Sequence, residues 1–228
     1  MTEAFDGSFG ALPNVFPVFP LVGALLLPHG KLPLNIFEPR YRAMTEDALG
    51  AGRAIGMIQP DLGKPLTAVG PALFRVGCLG RLSSFSETED GSYLVTLTGL
   101  IRFTVAQEIE PVRGYRRVRA DLTSFQGDLD QVGTSTAGID RGALMTALRA
   151  YFTQRGFDAN WDAIDAMADD ELVLTLSMVC PFEPAAKQAI LEAPTFHERV
   201  ETLLAILRID AYDSPISGND SNPRPLAS

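Results

Sequence analysis

The chain has 228 residues, 46% of them hydrophobic and 21% charged, an ordinary soluble composition with length enough to bury one large core or two small ones. No run of about 18 uninterrupted apolar residues occurs, so no transmembrane helix is expected, and Glu3 and Asp6 stand where a signal peptide would carry positive charge, so the expected setting is cytoplasmic. The net charge of −9 is uneven: residues 1–127 hold 12 Lys+Arg and 12 Asp+Glu, residues 128–228 hold 7 and 16, and the acidic half disfavours general nucleic-acid binding.

Residues 1–13, rich in Gly, Ala and acids, read as a loose arm. From Val15 to Leu122 the pattern is mostly strand-like. Apolar runs are cut at Pro17, Pro20, Pro28 and Pro33, which rules out one helix because proline lacks the amide donor and clashes with the preceding turn. Short strands of a curled sheet, with prolines at edges and corners, fit instead. One helix is embedded, from Pro39 to Leu49: Pro39 suits the first helical position, Tyr41, Met44 and Ala48 share a face, and Gly50 would close it in the left-handed conformation. Strands follow at Arg53–Gln59 and Ala72–Phe85, and Glu89-Asp90-Gly91 reads as a turn. Tyr93, Val95 and Leu97 then alternate with Leu94, Thr96 and Thr98. Gly99 is expected to break that strand, and Ile101, Phe103 and Val105 alternate with Arg102 and Thr104 in the next. In the last strand Val118, Ala120 and Leu122 point inward and Arg117, Arg119 and Asp121 outward. Short strands and tight turns favour a barrel-like sheet.

Residues 124–138 are polar and glycine-rich, the expected linker. Beyond them the period becomes helical. Ala143, Leu144, Ala147, Leu148, Tyr151 and Phe152 share one face, and Gly156 follows the last turn. A helix near Asp169–Cys180 opens with three acids that suit the N-terminal dipole, and its run, apolar nearly all round, suggests the buried central helix. Pro184 starts another helix that ends before Pro194. Thr195 and Glu198 form a capping box for the last one, with Val200, Leu203, Leu204 and Leu207 on its stripe. The tail, residues 211–228, has a composition too polar to pack.

Chemistry-bearing constellations are sparse. Cys78 and Cys180 belong to no C-x-x-C pair and read as small buried hydrophobes. His29 and His197 lie in different parts of the chain, too few for a zinc site. Gly30-Lys31-Leu32 lacks the hydroxyl and upstream glycine of a phosphate loop, and no G-x-S-x-G elbow occurs. Asp169-Asp170-Glu171 is a solvated helix start. Arg113, Arg116, Arg117 and Arg119, grouped around Tyr115, form the one basic cluster, which reads first as a charged edge strand. Phe37, Glu38, Arg40 and Tyr41 form a second cluster at the entry of the embedded helix. Lone Trp161 is expected on the linker side of the helical part.

Four blocks in order resemble the N-terminal domain of Lon-type ATP-dependent proteases, over roughly residues 14–210. They are Val15–Leu21 with Leu25–Pro28, Leu32–Tyr41 (LPLNIFEPRY), Gly91–Phe103 (GSYLVTLTGLIRF), and Glu183–Pro194 followed by the capped helix. The resemblance implies an α+β architecture: a PUA-like curled sheet or pseudo-barrel over 14–123 with one embedded helix, the linker 124–138, and a helical bundle over 139–210. It also implies a non-catalytic, protein- or peptide-binding role without a cofactor, since nothing here matches the ATPase or protease segments. A stand-alone module is expected. Its partners would be unfolded or specific proteins, among them a separate protease or chaperone, held by apolar surface between sheet and bundle. Phe37, Glu38, Arg40, Tyr41, Arg113, Tyr115, Arg116 and Arg117 are the candidate contact residues. The alternative is an RNA-binding PUA-like accessory protein using the basic cluster.

Overall fold

A computed structural model describes residues 12–129 and 139–212. The expected arm up to residue 11, the linker stretch 130–138 and the tail from 213 lie outside the described residues. Six strands, β1 (Val15–Pro20), β2 (Lys31–Ile36), β3 (Ala54–Ile58), β4 (Val76–Glu87), β5 (Tyr93–Val112) and β6 (Tyr115–Asp121), form one sheet. Their order is β2-β5-β4-β3-β1-β6, and β6 also pairs with β5, so the ring closes and β2 remains outside it as the edge strand. The long β5 makes this possible. Its first half lies between β2 and β4, and its second, from Thr104 to Val112, pairs with β6. Where Gly80 faces Gly99 but Leu79 faces Ile101, Leu100 is the extra residue of a bulge, the device that bends a strand around a corner.

The barrel interior is filled by Phe16, Val18, Leu79, Ile101, Phe103 and Val118, with the Phe16 and Phe103 rings edge to face at 5.0 Å. A second core lies outside the barrel. There Leu25–Leu27, Val95 and Leu97 pack with helix α1 (Pro39–Gly50) and with the C-terminal helices. These are α2 (Arg141–Arg155), α3 (Trp161–Ala166), α4 (Asp169–Val179), α5 (Pro184–Glu192) and α6 (Phe196–Tyr212). Their ends are set as the residues require. Asp140 accepts from the Ala143 amide, Gly156 takes the left-handed C-cap at φ 67°, and Thr195 and Glu198 form the reciprocal box.

Several expectations are corrected. Gly99 does not end a strand; it sits inside β5 because the Leu27–Pro28 backbone crosses there, and a Cβ at Gly99 would lie 2.0 Å from the Leu27 carbonyl oxygen. Gly50 belongs to α1, and the left-handed turn after it is made by Gly52 (φ 82°) and Arg53 (φ 63°). Strand β6 is no edge strand, since it is paired with β1 and β5 on its two sides. Helix α4, expected as the buried central helix, buries Leu172, Val173, Leu176 and Ser177, while Val179 at its end is 74% exposed, so it buries one face only. Residues Thr123–Leu129, where the linker was expected to begin, form a 3-10 segment docked on β5. Trp161 is half-buried against Phe152, with the Arg149 guanidinium 4.2 Å from its ring centre.

Candidate protein-docking surface

The fold brings the two predicted clusters together. Strands β5 and β6 are joined by the two-residue turn Arg113-Gly114, both at positive φ (47° and 85°), the primed geometry that matches strand twist. The turn lies against α1, where a Cβ on Gly114 would come within 3.4 Å of the Arg40 Cβ. The Arg113 guanidinium donates to Asp47 Oδ1 and to Glu46 Oε2, each at 2.8 Å. Tyr115 Oη donates to Asp47 Oδ2 at 2.8 Å and Tyr93 Oη to Glu46 Oε1 at 3.0 Å. The hydrogen bond from Arg113 holds the Glu46 carboxyl below the usual range, and that from Tyr115 does the same for Asp47. Burial, then the Asp47 partner, pushes the Tyr115 phenol up to about 12. These ties join α1 to the hairpin.

At the helix entry, Glu38 and Arg40 form an exposed pair (Nε to Oε2 3.0 Å), and the Arg40 guanidinium covers the buried Tyr41 ring at 4.5 Å. Tyr41 itself packs on Phe19, the rings tilted at 41° with centres 4.3 Å apart, so it supports the surface from beneath. Phe37 is 67% exposed. Arg116 is buried instead: it donates to Glu108 Oε2 at 2.8 Å and to the Pro71 carbonyl at 2.7 Å. It lies opposite Val18 in the ladder, on the face of β6 that also carries Val118 and Ala120. Arg117 lies half-buried in β6 opposite Pro17 and Ile109. Of the eight predicted residues, Phe37, Glu38, Arg40, Arg113 and Arg117 reach the surface; Tyr41, Tyr115 and Arg116 do not.

Sequence reasoning missed Leu94, 47% exposed on β5 directly opposite Asn35 of β2. The outward residues of β2 are Lys31, Pro33 and Asn35, and Phe37 continues their alternation, so Phe37 and Leu94 border one outer face. The alternation of β5 carried the signal for Leu94, but nothing local said that this face is left exposed. The expected apolar groove between sheet and bundle is closed by the protein's own core, and polar ties reinforce it. Gln59 Nε2 donates to the Pro184 carbonyl at 3.0 Å, and Arg102 Nη1 donates to the carbonyls of Leu191 and Ala193 at 3.1 and 2.6 Å.

The remaining candidates hold no assembled chemistry. Lys31 begins a strand instead of the helix a phosphate loop needs. His197 faces Glu201 on an exposed helix turn, and His29 occupies a left-handed turn at φ 66°. Both cysteines are free and buried. Among the described residues no group of three His, Cys, Asp or Glu is placed to hold a metal, and no helix is long and apolar enough to cross a membrane.

Comparison with known proteins places this architecture. The chain is 29% identical over 198 residues to Lon protease 2 of Sorangium cellulosum, covering 84% of this chain and 24% of that protein. It is 23% identical over 129 residues to Lon protease 2 of Myxococcus xanthus, covering 57% of this chain and 16% of that protein. It thus spans at most about a quarter of the length of these relatives. Among solved structures it is similar to a Lon N-terminal domain protein from Xanthomonas campestris (TM-score 0.55, 21% identity, 84% of this chain and 97% of that one). It is likewise similar to the N-terminal domain of a Mycobacterium avium complex Lon protease (TM-score 0.54, 14% identity, 87% and 98%). The family model of the ATP-dependent protease La (LON) substrate-binding domain matches residues 15–208, and the chain belongs to that family.

Proposed function

We propose that this chain is a non-catalytic module that holds protein clients, unfolded segments among them, on the outer face bordered by Phe37 and Leu94. The observation that carries the reading is two large apolar side chains, 67% and 47% exposed, beside an edge strand in a substrate-binding-domain fold. Exposed apolar side chains suit loose recognition of many sequences, and the ties from Arg113 hold the helix that follows Phe37 against the hairpin. RNA binding is disfavoured because Arg113 and Arg116 are already held by carboxylates, leaving few cations for phosphate. The partners in this reading are unfolded or specific proteins, including a separate protease or chaperone, and no cofactor takes part. A cytoplasmic setting belongs to it too, supported by two unpaired buried thiols.

The test is fluorescence anisotropy with a permanently unfolded, carboxymethylated client. The pair Phe37→Ser and Leu94→Ser is expected to weaken binding about tenfold or more, each ring or branch contributing roughly 1.5–3 kcal/mol when fully covered. The melting temperature should stay put. Undiminished binding by the double variant, or capture of RNA alone, would overturn the reading.

A further inference from the structure

We infer that β2 is an acceptor strand: an extended client segment, apolar and flanked by lysine or arginine, adds alongside it as a further strand of the sheet. The inference deepens the proposed function and rests on it. Its basis is the direction of the β2 backbone. The His29 amide donates to the Gly99 carbonyl and the Gly99 amide to the Gly30 carbonyl. With the register Leu32↔Leu97 and Leu34↔Val95, antiparallel alternation turns the peptide groups of Leu32, Leu34 and Ile36 toward β5. Those of Lys31, Pro33 and Asn35 therefore face away from the sheet. Pro33 fits that side because it has no amide to donate.

Among the described residues no strand pairs with that side of β2. The edge offers amides at Lys31 and Asn35 and carbonyls at Lys31, Pro33 and Asn35. The missing donor at Pro33 blunts indefinite sheet growth, while the flanking positions still suit a short peptide. Strand addition of this kind draws affinity from the main chain and specificity from what lies beside it.

Charge decides the occupant. At the Asn35 end lies an open hollow of about 600 Å³ lined by Asn35, Glu87, Thr88, Glu89, Asp90 and Ser92. Glu87 and Glu89 are exposed. Asp90 is tied by Thr88 and by the Ser92 amide and hydroxyl, and those bonds hold its carboxyl below the usual range. A cationic side chain of the client fits there, with an apolar neighbour on the outer face reaching Phe37, which is 67% exposed.

The experiment compares fluorescent peptides of alternating valine and threonine on the full chain. One is flanked by lysine, one by glutamate, and a third is the lysine peptide with alternate backbone nitrogens methylated. The lysine peptide should bind at least about tenfold more tightly than the methylated one, as expected when several main-chain bonds are lost. Glu89→Lys, which takes the lining from three carboxylates to two and one cation, should reduce the flank preference severalfold, and bound peptide should slow amide exchange at Lys31 and Asn35. Equal affinity of methylated and unmodified peptides, with binding still sensitive to Phe37→Ser, would overturn strand addition and leave the client surface standing. Loss of all peptide and unfolded-client binding would overturn both. A peptide-free dimer that protects the same two amides would show that a second copy is the occupant, and would overturn the inference.

Discussion

Arg102 and Asp128 form a two-pronged buried ion pair: Nε reaches Oδ2 at 2.9 Å and Nη2 reaches Oδ1 at 2.8 Å, while the Arg102 amide also donates to Oδ2 at 2.9 Å. The other guanidinium nitrogen collects the carbonyls at the end of α5, and the Phe125 ring lies 4.6 Å from the guanidinium carbon. One side chain of the barrel wall thus holds both the Thr123–Leu129 segment and the α5–α6 junction. Such a pair is costly to break because each partner is left charged and dry.

Arg102→Met should therefore destabilise the chain by about 3–5 kcal/mol in urea unfolding, the usual loss when one member of a buried pair is removed. Adding Asp128→Leu should recover part of that loss, because the orphaned carboxylate goes with it. A double variant as unstable as the sum of the two singles would show that the pair is not the unit of stability. Arg102→Lys should restore little, since an ammonium cannot make the fork.

The Arg113 ties predict a pH dependence of small size and definite sign. Glu46 and Asp47 have carboxyls lowered by Arg113, Tyr93 and Tyr115. Stability from a depressed carboxyl is present above its unfolded value, 4.5 for Glu46 and 3.8 for Asp47, and is lost as the pH falls through the folded value. Melting curves of wild type and Arg113→Ala should differ at neutral pH and converge in acid below those values. A gap that persists in acid would mean that Arg113 works by packing and not by charge.

What the sequence displayed was what local physics decides. Pro39 marked the start of α1, Thr195 and Glu198 marked the start of α6, and Val118 and Ala120 alternated with exposed Arg119 because one face of β6 lines the barrel. What it hid was decided at long range. Gly99 looks like a strand breaker until the Leu27 backbone is seen crossing it. The basic run of β6 looks like an edge until β5 bends back to cover it. Arg102 alternates with apolar neighbours like any exposed residue, and its burial depends on Asp128 and on carbonyls about 90 residues away in sequence. For the candidate surface, the Phe37 cluster was visible as a pattern, whereas Leu94 and the side of β2 that no described strand pairs required the strand order.

Gly99→Ala is expected to be among the most damaging single-methyl additions. Its Cβ would meet the backbone oxygen of Leu27 at 2.0 Å, and backbone cannot step aside as a flexible side chain can. Overpacking typically costs roughly 1–3 kcal/mol and more when nothing can yield, so the variant should melt far below wild type or fail to fold. Gly50→Ala is the control. Nothing lies within 4 Å of its Cβ and it is helical, so it should stabilise by roughly 0.5–1 kcal/mol. Equal effects at the two sites would show that the Leu27 crossing is not a tight contact in solution.

The two thiols make a last measurable contrast between core and surface. Burial pushes the Cys78 thiol far up and the Cys180 thiol up to about 12, and both side chains are nearly inaccessible. A thiolate is the reactive form, so both should resist Ellman's reagent at neutral pH. Labelling should proceed only as fast as the molecule opens, and should become immediate in urea. Cys180 lies just past the end of α4 and Cys78 lies in a barrel strand. If the helices open apart from the barrel, Cys180 labels first; if sheet and bundle open as one body around their shared core, the two label together. Immediate reaction of either thiol in the native state would contradict the packing described for its wall.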